Sequence, residues 1–275
     1  MCFLILHSIN KTKKIMKNKA LLVGINKYPN PGNELRGCIN DIIDMEHFIS
    51  ATNKVYDKEN IKKLSDKDAT KKGIIAQINW LLEGAQPGDQ LLFHYSGHGA
   101  QMPTQHPQIE KDGLDEIICP YDFDGSHETA FRDKEFAQIF AQIPQGVHFV
   151  WISDSCHAED LSRDPQMPSE ARYRYFKNSN NFMLNEPLLM TKPPIVKPLN
   201  GALLSACASN ELSADAIINN RFNGAFTYYL LKNLKQYGNL PMEKIIGFVN
   251  TDLAANCYDQ NPQTEGLLQN KTFFI

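Results

Sequence analysis

Two reactive side chains stand just past apolar runs: His98 in QLLFHYSGHG (90–99) and Cys156 in HFVWISDSCH (148–157). A cysteine attacks as its thiolate, and an imidazole is the usual base for a thiol whose own pKa is about 8.5. That pair would attack a carbonyl, the chemistry of a cysteine peptidase. The spacing of 58 positions from His98 to Cys156 is no obstacle, since a nucleophile and its base meet in space rather than in sequence. Taken singly, a cysteine and a histidine are more often a buried thiol and a structural imidazole. Here the context differs: glycines flank His98, freeing the backbone for close approach to a substrate, and Cys156 directly follows a strand-like run.

The elements that must position the pair follow from periodicity. KALLVGI (19–25) is a continuous apolar run, as in a strand buried on both faces. Residues 35–50 place apolar side chains at helical spacing, 61–64 read as a short strand, and 70–83 as a second helix with Gly84 as its stop. Strand and helix alternate, which predicts a parallel sheet with helices on its faces and ligands at the carboxyl ends of the strands. His98 and Cys156 both fall on that rim. Between them, 101–145 reads as a polar loop, an acidic stretch DGLDEIICPYDFDG (112–125) and a helix over 134–142. Residues 160–198 are proline-rich with little periodicity and predict a long loop. Order returns with a strand at GALLSA (201–206), helices over 224–234 and 241–253, the latter with proline at its first position, and a closing strand at 272–275.

Composition excludes several classes. A net charge of −3, with Lys and Arg dispersed, gives no electrostatic footprint for nucleic acid. No apolar run approaches the ~18 residues of a membrane span. The basic cluster KTKKIMKNK (11–19) follows the apolar start instead of preceding it, the reverse of a secretory signal, so residues 1–17 read as a disordered extension with Met16 as an alternative start. Six cysteines without CxxC pairs suit reduced thiols and a cytoplasmic location. VGINKYPNPG carries neither GxGxxG nor GxxxxGK[ST], which weakens a nucleotide-binding reading, and HYSGH lacks the first glycine of a serine-hydrolase elbow.

HYSGHGAQ, DGLDEIICPYDFD and WISDSCHA, in this order, resemble the metacaspase and orthocaspase branch of the caspase-like cysteine peptidases. KALLVGINKY and LRGCINDI before them, and GALLSAC, GAFTYYL and QTEG after them, extend the resemblance over residues 19–275. It implies an α/β caspase-like (caspase-hemoglobinase) sandwich with a mostly parallel central sheet of about six strands flanked by helices. Residues 18–275 would form one peptidase domain: a large part (18–160), a long loop (161–199) and a small part (200–275). The resemblance makes Cys156 the nucleophile, His98 the proton shuttle, and the N–H groups of Gly99 and Cys156 the oxyanion hole. It places Asp41, Asp154 and Ser96 in an acidic pocket for the residue before the cut, hence cleavage after Arg or Lys.

A catalytically silent scaffold module is the alternative. Calcium is the one cofactor the resemblance brings in, through Asp112, Asp115 and Asp133, although Lys134 stands where a second Asp is common; no cofactor is otherwise required. Basic residues in the long loop (Arg163, Arg172, Arg174, Lys177, Lys192, Lys197) offer sites for autoprocessing near 172–177. Protein or peptide substrates, a monomeric state, and neither membrane nor nucleic acid complete the expectation.

Overall fold

A computed structural model describes residues 17–52, 54–108, 110, 113–156, 171–176 and 199–274. The buried apolar runs become the middle of one six-stranded sheet. Its strands are β1 (Asn18–Gly24), β2 (Ile61–Ser65), β3 (Gln90–Ser96), β7 (His148–Asp154), β9 (Ala202–Ser205) and β12 (Gln263–Glu265), in the order β12-β9-β7-β3-β1-β2. All neighbours are parallel except β12, which runs antiparallel to β9.

Helices cover both faces, as period-3.6 stripes require. On one face, α2 (Lys71–Leu82) and α3 (Asp133–Phe140) pack Ile74, Ile78, Phe136 and Phe140 onto Leu21, Phe93 and Phe149. On the other, α1 (Cys38–His47), α4 (Ala225–Tyr237) and α5 (Met242–Ala255) pack Ile42, Phe226, Leu230 and Val249 onto Leu22, Leu92 and Ile152. Alternate residues of each central strand serve opposite cores, which is why these strands read as unbroken apolar runs.

Three expectations are corrected. The polar loop expected from residue 101 opens instead as a strand, β4 (Gly99–Pro103), which with β5 (Leu114–Ile118), inside the acidic stretch, and β6 (Phe131–Arg132) makes a small antiparallel sheet. The sheet closes with Gln263–Glu265 rather than with 272–275, where Thr272 makes a single bridge to Pro241. Pro241 caps α5 from just outside the helix instead of occupying its first turn. A third sheet joins β8 (Arg172–Tyr173), β10 (Ala214–Ile218) and β11 (Arg221–Gly224), in the order β11-β10-β8. Among the described residues, no helix is long and apolar enough to cross a membrane.

His94, on the central strand β3, is fully buried and meets the hydroxyl of Thr227 on α4 at 3.4 Å. Burial pushes its pKa down to about 4, against an opposing pull from Asp154. The folded state therefore holds His94 neutral, and that stability is complete above the unfolded pKa near 6.5 and drains away as pH falls toward 4. Urea unfolding of the wild type and of His94→Gln across this range isolates the effect, since Asp41 contributes with the opposite sign in both: their stability difference is expected to change by roughly 3 kcal/mol, the wild type losing more as pH falls.

Candidate functional site

The parallel register brings the two rim strands level: Ser96 at the end of β3 pairs with Asp154 at the end of β7. Two residues beyond each lie His98 and Cys156. Both are buried. Their positions meet at one carbonyl oxygen, that of Arg174, which accepts the N–H of Gly99 at 2.9 Å and the N–H of Cys156 at 3.3 Å. The Cys156 thiol lies against Ser213, accepting its N–H at 2.7 Å and donating to its carbonyl at 3.3 Å. His98 donates Nε2–H to the carbonyl of Asn33 at 2.8 Å, and the tautomer that makes this bond carries its lone pair on Nδ1. Tyr28 braces the same histidine, its ring 4.8 Å from the imidazole and its hydroxyl accepting the His98 N–H.

The three residues expected to form an acidic pocket do converge, on the guanidinium of Arg174. Nη2 donates to Asp41 Oδ2 at 2.7 Å; Nη1 donates to Ser96 Oγ at 2.7 Å and lies 3.1 Å from Asp154 Oδ1. A fourth residue joins them: Asp215, on β10, meets Nη2 at 3.2 Å. All three carboxylates and the guanidinium are completely buried.

Each carboxylate has further donors. Asp41 accepts the N–H of Gly224 and the hydroxyl of Ser96, Asp154 accepts the hydroxyls of Ser213 and Thr227, and Asp215 accepts the N–H groups of Arg36 and Gly37. Burial pushes Asp41 up to about 6 despite the opposing pull of Arg174, with the neighbouring Asp154 carboxylate adding to the rise. Gly224 must lack a side chain: a Cβ there would run into the Asp154 carboxylate and the Arg174 guanidinium.

Arg174 arrives on an extended segment. Arg172 and Tyr173 form β8 antiparallel to β10, Arg174 N–H donates to the Ser213 carbonyl at 3.0 Å, and Phe176 N–H donates to the Gly99 carbonyl at 3.1 Å. Residues 171–176 thus cross the rim as an added strand, with the Arg174 carbonyl at its centre. Four contributors went unforeseen. Arg174 is one basic residue among six in a proline-rich stretch, Asp215 follows the strand-like run 201–206 with no pattern that marks it, and Asn33 and Ser213 act through backbone atoms that no side-chain pattern announces.

Three further cysteines are buried among the described residues. Burial holds the thiols of Cys38 and Cys119 well above their ordinary range. Cys207 is also held up, first by its hydrogen bond with Cys156 and then by burial.

Of the carboxylates offered for calcium, Asp112 lies outside the described residues. Asp115 and Asp133 are already paired with an ammonium: Lys134 Nζ lies 2.6 Å from Asp115, 2.6 Å from Glu110 and 3.2 Å from Asp133. Burial would lower the Lys134 pKa, but Asp115 and Glu110 outweigh it and hold the ammonium charged. Calcium requires six to eight oxygens at about 2.4 Å, and these residues do not fit it while the ammonium stands among them.

A family model described as metacaspase, peptidase C14 domain, matches residues 18–163, just over half of the chain and including both His98 and Cys156. Metacaspase-1 of Mycosarcoma maydis is 32% identical across 90% of this chain and 69% of its own length. Metacaspase-1 of Candida albicans is 29% identical across 90% of this chain, which spans 64% of that relative. The crystal structure of a Geobacter sulfurreducens protein shares the fold, with a TM-score of 0.69 at 24% identity over 93% of this chain and 97% of that one. Sequence over most of the chain and architecture over nearly all of it agree, and the chain belongs to the metacaspase family of caspase-like cysteine peptidases.

Proposed function

We propose that this protein is a latent endopeptidase that cuts after Arg, and less readily after Lys, and whose first substrate is its own Arg174–Tyr175 bond. One observation carries the reading: Arg174 lies with its side chain among Asp41, Asp154, Asp215 and Ser96 while its carbonyl oxygen accepts the Gly99 and Cys156 N–H groups. Recognition and reaction thereby converge on a single residue. Arg suits this pocket better than Lys, because both Nη atoms of a planar fork are used and one ammonium cannot reach all four partners at once.

In this mechanism His98 Nδ1 takes the thiol proton as Cys156 Sγ bonds to the Arg174 carbonyl carbon, and the oxygen takes up negative charge under the two N–H donors, each worth about 3 kcal/mol in such sites. The C–N bond to Tyr175 then breaks as His98 gives the leaving amine its proton. Water, giving a proton to His98 Nδ1, attacks the thioester carbonyl; the C–S bond breaks and His98 passes that proton to the Cys156 sulfur, restoring the thiol and the neutral imidazole. Asn33, accepting Nε2–H, holds the imidazole in the tautomer that works through Nδ1. We further read the peptidase as working without calcium, supported by the Lys134 ammonium among Glu110, Asp115 and Asp133.

Intact-mass analysis of purified chain is expected to show fragments ending at Arg174 and beginning at Tyr175. Arg174→Lys should slow their appearance, and Arg174→Asp or Cys156→Ala should abolish it; the same fragments from Cys156→Ala would remove that residue as the nucleophile and return the scaffold alternative. In the Cys156→Ala background, Arg174→Ala leaves three buried carboxylates without their cation and is expected to lower the melting temperature by roughly 5–15 °C, with added arginine amide restoring part of it. For calcium, rates with a chelator and with added calcium should agree within about twofold, and Lys134→Asp is expected to introduce a calcium response where the wild type has none.

A further inference from the structure

The strand that crosses the rim continues past the carbonyl of Arg174, and the residue two places beyond it is buried. Phe176 is only 3% exposed, and three rings surround it: Phe123 at 4.9 Å, Tyr28 at 5.7 Å and His98 at 5.8 Å between centroids. The interplanar angles are 76°, 76° and 88°, so each contact is edge-to-face, the arrangement that an aromatic quadrupole favours. Tyr28 and Phe123 are themselves buried in the core against β3 and the sheet β4-β5-β6, which makes the box part of the scaffold and not a chance contact of the segment. Phe176 is also fixed along the chain, since its N–H donates to the Gly99 carbonyl while the Gly99 N–H donates to Arg174.

We propose that Tyr28, Phe123 and the imidazole of His98 form a subsite selecting an aromatic residue at the second position after the cut. This rests on reading Arg174 as the residue before the cut. Selectivity is then two-ended: a cation is required in the acidic pocket, and a ring is preferred two residues downstream. A flat apolar ring fits where a Lys or Asp side chain would be desolvated without a partner. Because one wall of the box is His98, a ring seated there also shields the imidazole from water and limits its orientations, so the preference acts on turnover as well as on binding.

Internally quenched peptides of sequence Ala-Arg-Tyr-Arg-Tyr-X, with X as Phe, Tyr, Leu, Ala or Asp, test the inference on the full chain, beside a companion peptide carrying Asp in place of the second Arg. Values of kcat/KM are expected to be on the order of 10- to 100-fold higher for X as Phe than for X as Ala. Phe123→Ala, or Phe123→Leu if the first does not fold, should compress that ratio while leaving the Arg requirement intact. A strict Arg requirement with no dependence on X would overturn the aromatic subsite and leave the reading of Arg174 standing. Equal cleavage of the Asp companion, or no cleavage of any peptide, would overturn that reading and the subsite with it.

Discussion

A guanidinium buried among three carboxylates is the constraint around which this structure is arranged. Charges removed from water survive only when paired and hydrogen-bonded, and unbalanced ones cost several kcal/mol each. Asp41 comes from a helix in the first part of the chain, Asp154 from the rim of the central sheet and Asp215 from a strand after the long loop. Bringing them together concentrates like charge, and the backbone N–H groups of Arg36, Gly37, Gly224 and Thr227 are turned inward to offset it. The pocket therefore depends on a cation for its own balance, which couples the stability of the fold to what occupies the site.

Much of this was legible in the residues. β1, β3 and β7 announced themselves as apolar runs because each is covered on both faces, and the parallel arrangement followed from the helices between them. The rim positions of His98 and Cys156 followed in turn. Asp41, Asp154 and Ser96 were assigned through family resemblance; nothing in their local sequence distinguishes a pocket carboxylate from a helix-surface one. What stayed hidden was non-local. Arg174 is set apart from its basic neighbours only by strand addition to β10, a contact between residues about forty positions apart. The small sheet β4-β5-β6 escaped because its strands are short, of five, five and two residues, and a buried position of β5 is the charged Asp115, which breaks the apolar alternation. The closing strand was misplaced because TFFI is apolar for a different reason: Phe273 and Phe274 fill the core beside α5 without joining the ladder.

Lys134 shows a different economy. Three carboxylates gather here around a covalently attached cation that matches part of their charge. The ammonium ties the second residue of α3 to Asp115 of β5 and to Glu110 ahead of it.

The segment 171–176 belongs to the same chain as the groove it fills, and that has a kinetic meaning. A tethered ligand presents itself at an effective concentration on the order of millimolar, whatever the dilution of the protein. A free substrate at micromolar levels competes against that figure and loses about a thousandfold in apparent affinity. Dilution would leave this handicap untouched, and one cut after Arg174 would free only the half of the strand that follows it, since residues 171–174 stay joined to Cys156 through the chain. Latency in such a molecule is a property of connectivity, set by which residues share a chain and not by how tightly any one of them binds.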